Sequence, residues 1–312
     1  MNVLIDGYGS IGSRHAKILG DLGCRVSVFS RRKIDFPIYF LDLSKALSVE
    51  KPDYVVIANE TAKHDQVLSE LADLHFAGLV LVEKPLFHTL KPIPDNQFRN
   101  IFVGYNLRFH PLLQRLKELL ANEKPVAAHI YAGQDLATWR PSADYRTGYS
   151  AQKSLGGGVL RDLSHELDYV NWLFGTWETL TANGGHLSQL EIDSDDVYNI
   201  FVKTSKCPSV TIQLNYIDRT ARREILIHTQ NCTIEADLRQ GTLNIDGKRE
   251  NYQVERETTY RTEHQAVFKE DTTFLCTAEQ GMEVVEMIDA VEQASQQKIW
   301  LPNSKLAFTA YH

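Results

Sequence analysis

The pattern of apolar segments predicts an α/β protein, with a parallel sheet in the N-terminal third followed by an α+β domain that has a large open, mainly antiparallel sheet. Over about the first hundred residues, strand-like runs alternate with helical segments, as in a right-handed parallel sheet covered by helices. After Pro125, strand-like segments follow one another without intervening helices, which is typical of an antiparallel sheet. A chain of 312 residues has room for two domains, and we divide it into 1–108 and 109–312.

The first apolar segment, which begins at Val3, runs directly into a G-x-G-x-x-G sequence. Gly7 permits a tight turn, Gly9 lets backbone approach a pyrophosphate, and Gly12 lets the next helix pack close to the strand. The N-terminus of that helix directs free N–H groups and the positive end of its dipole at phosphates. A plain tight turn is the alternative interpretation. The context predicts a Rossmann-type dinucleotide site formed by Gly7, Tyr8, Gly9, Ser10, Ile11 and Gly12.

The end of the second predicted strand indicates which dinucleotide is bound. Sites selective for NAD usually carry Asp or Glu about 20 residues after the glycines, where it binds the ribose 2′-hydroxyl. Here the strand ends in Ser30, Arg31 and Arg32. A hydroxyl and two guanidinium groups suit a 2′-phosphate, which a carboxylate would repel. We therefore expect NADP rather than NAD, with a solvated basic turn as the alternative.

Polar residues follow the other predicted parallel strands, at the sheet edge where ligands bind in this fold. Asn59 and Glu60 follow one strand, and Glu83-Lys84-Pro85 ends the next. We expect the cofactor to contact Asn59, Glu60, His64, Glu83 and Lys84. Lys84 could also bind a substrate oxygen or transfer a proton, although many lysines are merely surface residues.

The segment from Gly156 to Gly175 predicts one helix, entered through three glycines and closed by a fourth. At ~100° per residue it carries two stripes. The apolar stripe contains Leu163, Leu167, Val170 and Phe174, and the second contains Asp162, His165, Tyr169 and Trp172. An acid, an imidazole and two aromatic groups on one face favour catalysis over a structural histidine.

Composition excludes several function classes. The net charge of −7 offers no basic field for nucleic acid or anionic lipid. The 4 cysteines form no C-x-x-C pair, which argues against a zinc site or a disulfide framework and fits a reducing cytosol. No signal peptide or membrane-spanning run is apparent. We therefore expect a cytoplasmic protein without metal, nucleic-acid or membrane partners.

Taken together, these motifs resemble the glucose–fructose oxidoreductase/inositol dehydrogenase (Gfo/Idh/MocA) family. The resemblance rests on the glycine loop followed by Arg14-His15, on Glu83-Lys84-Pro85, on the segment from Gly104 to Pro111, and on the helix that carries Asp162, His165 and Asp168. It implies NAD(P)-dependent oxidation or reduction of a secondary hydroxyl or keto group on a sugar, cyclitol or nucleotide sugar. It also implies a homodimer or homotetramer that buries the open face of the second sheet.

By this resemblance Lys84 is the catalytic lysine, His165 transfers the proton and Asp162 is the accompanying acid. The family acid usually precedes the histidine by four residues and would fall on Arg161, whereas Asp162 precedes it by three. This spacing resembles a subgroup associated with bacterial surface-sugar pathways. Aromatic and arginine residues suited to an anionic sugar are the substrate-binding candidates: Arg108, Trp139, Arg140, Tyr145, Arg146 and Tyr169.

Two alternative functions remain on the same fold. The first is a non-catalytic regulator that binds NADP, since fold alone does not determine function. The second is a hydrolase that oxidises its substrate transiently with a tightly held cofactor. The presence of both Lys84 and His165 argues against the regulator, because a sensor needs neither residue.

Overall fold

The computed structural model describes residues 1–139, 144–255 and 257–304. Its helices are α1 Ser10–Asp21, α2 Leu43–Glu50, α3 His64–Asp73, α4 Pro111–Leu120, α5 Leu136–Trp139, α6 Val159–Asp162, α7 His165–Phe174, α8 Thr258–Lys269 and α9 Ala278–Gln297. Its strands are β1 Asn2–Asp6, β2 Arg25–Phe29, β3 Tyr39–Phe40, β4 Tyr54–Ile57, β5 Leu79–Val82, β6 Asn100–Val103, β7 Pro125–Gly133, β8 Trp177–Gly185, β9 Val197–Thr204, β10 Ser209–Asn215, β11 Arg222–Thr229, β12 Thr233–Asp237, β13 Thr242–Ile245, β14 Lys248–Asn251, β15 Cys276–Thr277 and β16 Leu301–Pro302.

Within the described residues, the strands form two sheets. The first has the order β15-β6-β5-β4-β1-β2-β3, and its pairs are parallel except for the antiparallel pair of β15 with β6. The second has the order β14-β13-β12-β11-β7-β10-β9-β8-β16, and its pairs are antiparallel except for the parallel pair of β7 with β10. The predicted fold class is confirmed.

The two sheets differ in how their strands are buried. All four residues of β4 are at 0% exposure, as expected where helices cover both faces of a parallel sheet. Strand β9 alternates instead, with Ile200 and Val202 buried and Phe201 52% exposed. Burying one such aliphatic side chain contributes about 1.5–3 kcal/mol, so each pattern fixes the orientation of its strand.

The chain divides into two compact units, each packed mainly within itself. The described residues of Met1–Phe109 and Arg256–Val285 form unit 1, and those of His110–Glu255 and Glu286–His312 form unit 2. Unit 1 contains the parallel sheet and also α8, whose residues come late in the sequence. The division at residue 108 into a cofactor domain and a substrate domain stays a prediction.

The helix predicted between the glycines at 156–158 and Gly175 is interrupted. Helix α6 ends at Asp162, and α7 begins at His165 after a turn at Leu163 and Ser164. The amide of Leu163 still bonds to the carbonyl four residues earlier, whereas the amides of Ser164 and Glu166 bond to carbonyls three residues earlier. This tighter turn changes the angle between Asp162 and His165, so a single helical wheel does not describe their relation.

No helix in the described part of the chain combines the length and the apolar character that crossing a bilayer requires.

Candidate functional site

The glycine-rich loop lies at the carboxyl end of β1, and two of its glycines are required by close packing. Gly7 has φ +95°, and a Cβ there would lie 2.8 Å from the Ala58 carbonyl oxygen. A Cβ on Gly12 would lie 2.0 Å from the Gly7 carbonyl oxygen, so α1 can approach the loop only because this side chain is missing. Gly9 differs, because a Cβ there would enter open space. The space beside Gly9 is therefore available to a ligand.

The N-terminus of α1 has the properties of an anion site. Among the described residues, no side chain caps it at Gly9, and its first turn contains no acidic residue. The first N–H groups of a helix have no partner within the helix, and the helix dipole places partial positive charge there. Open space at Gly9 beside these uncapped N–H groups fits a pyrophosphate.

The basic turn after β2 is ordered by its own serine. Ser30 is buried, and its Oγ lies 2.8 Å from the Arg32 carbonyl oxygen and 3.3 Å from the Arg32 amide nitrogen. The Arg31 guanidinium lies over the Phe29 ring at 5.4 Å and 3.9 Å from Glu70. Both arginines are exposed, and the fixed turn holds their backbone in one place.

Asp6 ends β1 directly before the glycine loop and is 2% exposed. Burial raises the pKa of its carboxyl to about 7, although the nearby charge of Arg31 opposes this rise. Asn59 at the end of β4 donates to Asp6 Oδ2 at 2.6 Å. The carboxyl end of the parallel sheet thus holds a buried acid that titrates near neutral pH.

Lys84 follows β5 in a turn that two neighbouring residues support. Its backbone N–H donates to Glu83 Oε2 at 3.2 Å. His64 at the start of α3 lies with its Nδ1 3.1 Å from the Pro85 carbonyl and 3.2 Å from that of Leu86. Burial lowers the pKa of His64, which keeps it neutral with Nδ1 as the donor. His64 therefore holds the turn after Lys84, a contact that sequence reasoning did not indicate.

In unit 2, the structure joins Asp162 to an aromatic pair. The Tyr216 hydroxyl donates to Asp162 Oδ2 at 2.6 Å, and the Trp139 ring meets the Tyr216 ring edge-on at 5.2 Å. Burial, together with the charge of Asp162, raises the pKa of Tyr216 well above its ordinary value. Within the described residues, the buried indole nitrogen of Trp139 has no hydrogen-bond partner. Sequence reasoning missed Tyr216, whose only signal was its position at the end of a strand.

Arg161, the residue at the position expected for the family acid, is 5% exposed. Its guanidinium bonds both oxygens of Glu292, at 2.8 and 3.3 Å, and its Nη1 lies 4.0 Å from Asp195. Burial raises the pKa of Asp195 to about 6, although the Leu160 amide donates to its carboxylate. Arg161 is thus held in a buried ion pair, and Asp162 is the neighbouring acid that contacts Tyr216.

The remaining substrate-binding candidates have varied surroundings. Arg108 is buried in unit 1, where its Nη1 donates to Gln280 at 2.6 Å. Tyr169 is at 0% exposure and donates to Glu166 at 3.2 Å, which favours a role in packing. Tyr145 and Arg146 lie in a half-exposed loop, where Arg146 pairs with Glu191 at 2.8 Å. Arg140 lies outside the described residues.

His165 begins α7 and is 8% exposed. In the described part of the chain, no group of three or more His, Cys, Asp or Glu side chains is arranged to hold a metal ion. The predicted site residues therefore fall into two sets. Unit 1 holds the glycine loop, the basic turn and Lys84, and unit 2 holds Asp162, His165 and Trp139. Asp6, which also lies in unit 1, was not predicted as a site residue.

Comparison with known proteins gives one match to a family model and one to a curated relative. Residues 113–235 match the model of the GFO/IDH/MocA C-terminal domain. The "Uncharacterized oxidoreductase sll0816" of Synechocystis sp. is 29% identical over 167 residues, which cover 48% of this chain. The chain spans 42% of the length of that relative.

Solved structures share the fold along almost the whole chain. Levoglucosan dehydrogenase in complex with NADH and levoglucosan has a TM-score of 0.80 at 17% identity, covering 97% of this chain and 98% of the other. The WlbA dehydrogenase from Bordetella pertussis, in complex with NADH and UDP-GlcNAcA, has a TM-score of 0.78 at 16% identity with the same coverage. Residues 113–235 thus match the C-terminal domain model of the GFO/IDH/MocA family, and the chain shares the fold of these solved structures. Both findings agree with the resemblance seen in the motifs.

Proposed function

We propose that the protein is an NADP(H)-dependent oxidoreductase that acts on a secondary hydroxyl or keto group of a sugar, cyclitol or nucleotide sugar. The observation that carries this proposal is the uncapped N-terminus of α1 beside open space at Gly9, directly after β1. Two structures with this fold contain NADH together with levoglucosan or UDP-GlcNAcA, which supports a sugar-type substrate. A role in bacterial surface-sugar biosynthesis stays a prediction from the subgroup resemblance.

The residues that would hold the cofactor follow from the fit described above. The loop from Gly7 to Gly12 and the first N–H groups of α1 would bind the pyrophosphate. Ser30, Arg31 and Arg32 would bind the 2′-phosphate through charge-assisted hydrogen bonds. When bound, the nicotinamide supplies or accepts the hydride.

The proposed catalytic groups act on the substrate oxygen and its proton. Lys84, an ammonium group, stabilises negative charge that develops on the oxygen as a carbonyl is reduced. His165 donates the proton to that oxygen and takes it back in the oxidation direction. Asp162, which accepts from Tyr216, provides an acceptor for a sugar hydroxyl, and the Trp139 ring beside Tyr216 provides an aromatic surface for the sugar ring.

The function is tested with a panel of free sugars, sugar acids, cyclitols and nucleotide sugars, each added with NADP+. Thermal shift detects binders by mass action, and the absorbance of reduced nicotinamide then measures turnover. We expect at least one panel member to stabilise the protein and to be oxidised. NADP+ binding without turnover of any member would favour the regulator, and failure to bind NADP+ would contradict the proposal.

The basic turn predicts the cofactor preference. Replacing Arg31 or Arg32 by alanine removes a charged hydrogen bond worth about 1.5–3 kcal/mol, so we expect the Kd for NADP+ to rise roughly 10–100-fold. The Kd for NAD+ should hardly change, because NAD+ has no 2′-phosphate. Titration calorimetry with both nucleotides measures this. Arg99→Ala, which removes another exposed arginine of unit 1, is the control and should leave both affinities unchanged.

The homodimer or homotetramer implied by the resemblance also stays a prediction, which the molar mass in solution would check.

A further inference from the structure

Unit 1 contains a line of buried polar side chains that the proposed chemistry does not use. Glu83 Oε1 lies 2.8 Å from His15 Nε2, His15 Nδ1 lies 2.8 Å from His264 Nε2, and His264 Nδ1 lies 3.0 Å from the Tyr54 hydroxyl. The exposures of Tyr54, His264 and His15 are all 0%, and that of Glu83 is 8%. Burying such groups is costly unless their hydrogen bonds are satisfied, so the continuous line requires an explanation.

The four residues come from different elements. His15 lies on α1, Tyr54 begins β4, Glu83 follows β5, and His264 lies on α8. Tyr54 pairs in register with Leu79, so the line runs from near the start of β5 to the residue after its end, a span of ~13 Å at ~3.3 Å per residue. It therefore links the amino edge of the parallel sheet to the turn that carries Lys84.

Hydrogen-bonding roles along the line can be assigned from its two ends. An ionised Glu83 can only accept, so His15 Nε2 carries a hydrogen. The Tyr54 hydroxyl is buried, and His264 Nδ1 is its hydrogen-bond partner within the described residues. The hydroxyl donates there, because its buried hydrogen would otherwise be left without an acceptor. His264 Nε2 must then donate to His15 Nδ1. Both histidines are neutral Nε2–H tautomers in this arrangement, and every donor points towards Glu83.

Two further observations agree with a charged, fixed Glu83. Burial alone would raise the pKa of its carboxyl, but the hydrogen bond from His15, the charge of His15 when protonated and the nearby Lys84 together outweigh burial, and the pKa is lowered. Burial also lowers the pKa of His264 well below its ordinary value, which keeps that ring neutral. A Cβ on Gly104 would lie 3.3 Å from Glu83 Oε1, so the glycine leaves room for the carboxylate.

The line is enclosed by aromatic rings and has few charged neighbours. The Tyr260 ring meets His15 edge-on at 5.6 Å, and Phe268 stacks on His264 at 6.4 Å. The Arg14 guanidinium lies 5.2 Å from the centroid of the Tyr260 ring. Burial and, to a smaller extent, the negative charge of Glu263 raise the pKa of Tyr54. These rings keep water from competing for the hydrogen bonds.

We propose that Tyr54, His264 and His15 form a one-way donor relay that holds the Glu83 carboxylate ionised and fixed, and thereby positions Lys84. The link to Lys84 is direct, because the second carboxylate oxygen accepts the Lys84 backbone N–H. The three residues are positioning residues. The consequence for Lys84 rests on the proposed function, whereas the relay itself does not.

The test uses the full chain labelled with ¹⁵N-histidine. Long-range ¹H–¹⁵N spectra distinguish the two neutral tautomers and the imidazolium, with signals assigned through His15→Gln and His264→Gln. At neutral pH we expect Nε2–H tautomers at both histidines. An imidazolium or an Nδ1–H tautomer at either position in the wild type would overturn the relay.

Glu83→Gln tests whether the relay acts as a unit. The amide carbonyl would accept the Lys84 N–H, and the amide nitrogen would then face His15 as a donor, which opposes the donor direction set by Tyr54. We expect an Nδ1–H fraction to appear at both histidines in equal proportion, because neither ring can reverse alone. A change at one ring only, or at neither, would contradict the coupling. Glu50→Gln, which removes a carboxylate paired with Arg25 in the same unit, should leave both rings unchanged.

Tyr54→Phe keeps the proposal testable if Glu83→Gln does not fold. Removing the Tyr54 hydroxyl should shift the His264 Nδ1 signal. The His15 tautomer should not change, because Glu83 still sets the direction of the hydrogen-bond donors. Loss of the Nε2–H tautomer at His15 would contradict this.

The rate at which an amine reagent labels Lys84, followed by peptide mass spectrometry, should rise several-fold in Glu83→Gln and stay unchanged in Glu50→Gln. If the tautomers reverse but the labelling rate of Lys84 does not change, the relay stands and only its role in positioning Lys84 is excluded.

Discussion

Lys84→Ala is expected to lower turnover by about 10²–10⁴-fold, the usual contribution of a group that stabilises charge or transfers a proton in the transition state. The loss should appear in kcat more than in the Kd for NADP+, because Lys84 acts on the reacting oxygen. His165→Ala should lower turnover by a similar factor, because alanine cannot transfer the proton. Stopped-flow measurement of NADPH formation, with the sugar found by the panel, gives both values.

Two matched controls separate this result from general damage to the fold. Lys91→Ala removes a half-buried lysine that pairs with Asp65 in the same unit. His75→Asn removes an exposed histidine at φ 55°, a conformation that asparagine tolerates. Both should keep wild-type turnover. Undiminished turnover in Lys84→Ala and in His165→Ala would remove the catalytic assignment.

Asp6→Asn is expected to abolish a large pH dependence of stability. The carboxyl has a pKa of about 7 in the folded protein against 3.8 as the ordinary value, because burial disfavours its charged form. The folded state therefore binds the extra proton between these values. This contribution is fully present below the unfolded pKa and is lost as pH rises through the folded pKa.

At about 1.4 kcal/mol per pKa unit, the free energy of unfolding should fall by about 3 kcal/mol through this residue as pH rises from ~5 to ~8, because two units separate pH 5 from the folded pKa of about 7. Asparagine is uncharged and can still accept from Asn59, so the variant should be more stable than the wild type at the upper end. Urea denaturation across this range measures the difference. Asp95→Asn, at an exposed carboxylate, should follow the wild type. Parallel pH profiles for Asp6→Asn and the wild type would show that Asp6 is ionised at little cost.

Local patterns predicted the parallel sheet and the glycine loop well. In unit 1 the apolar runs are continuous because both faces of the sheet are buried, and the spacing of Gly7, Gly9 and Gly12 reflects short-range sterics. The single helix through Asp162 and His165 was predicted less well. Its interruption at Leu163 and Ser164 depends on a shift of backbone hydrogen bonds that side-chain periodicity does not encode.

Partners that are distant in sequence account for most of what was missed. Tyr216 reaches Asp162 across 54 positions, and Glu292 reaches Arg161 across 131. Neither pair carries a spacing signal, because the contact exists only after two separate elements have packed. Tyr169 differs, because its hydroxyl donates to Glu166 only three positions earlier on the same helix, α7. Side-chain periodicity did not show that both residues are buried when unit 2 packs.

The sequence by itself determined the fold class and the loop that fits a dinucleotide, because each depends on residues close together along the chain. Only the tertiary structure brought α8 back to the parallel sheet, where His264 joins His15 and Tyr54 behind Glu83. A buried polar group must find its partner wherever the chain supplies one, and that partner is chosen by packing in three dimensions.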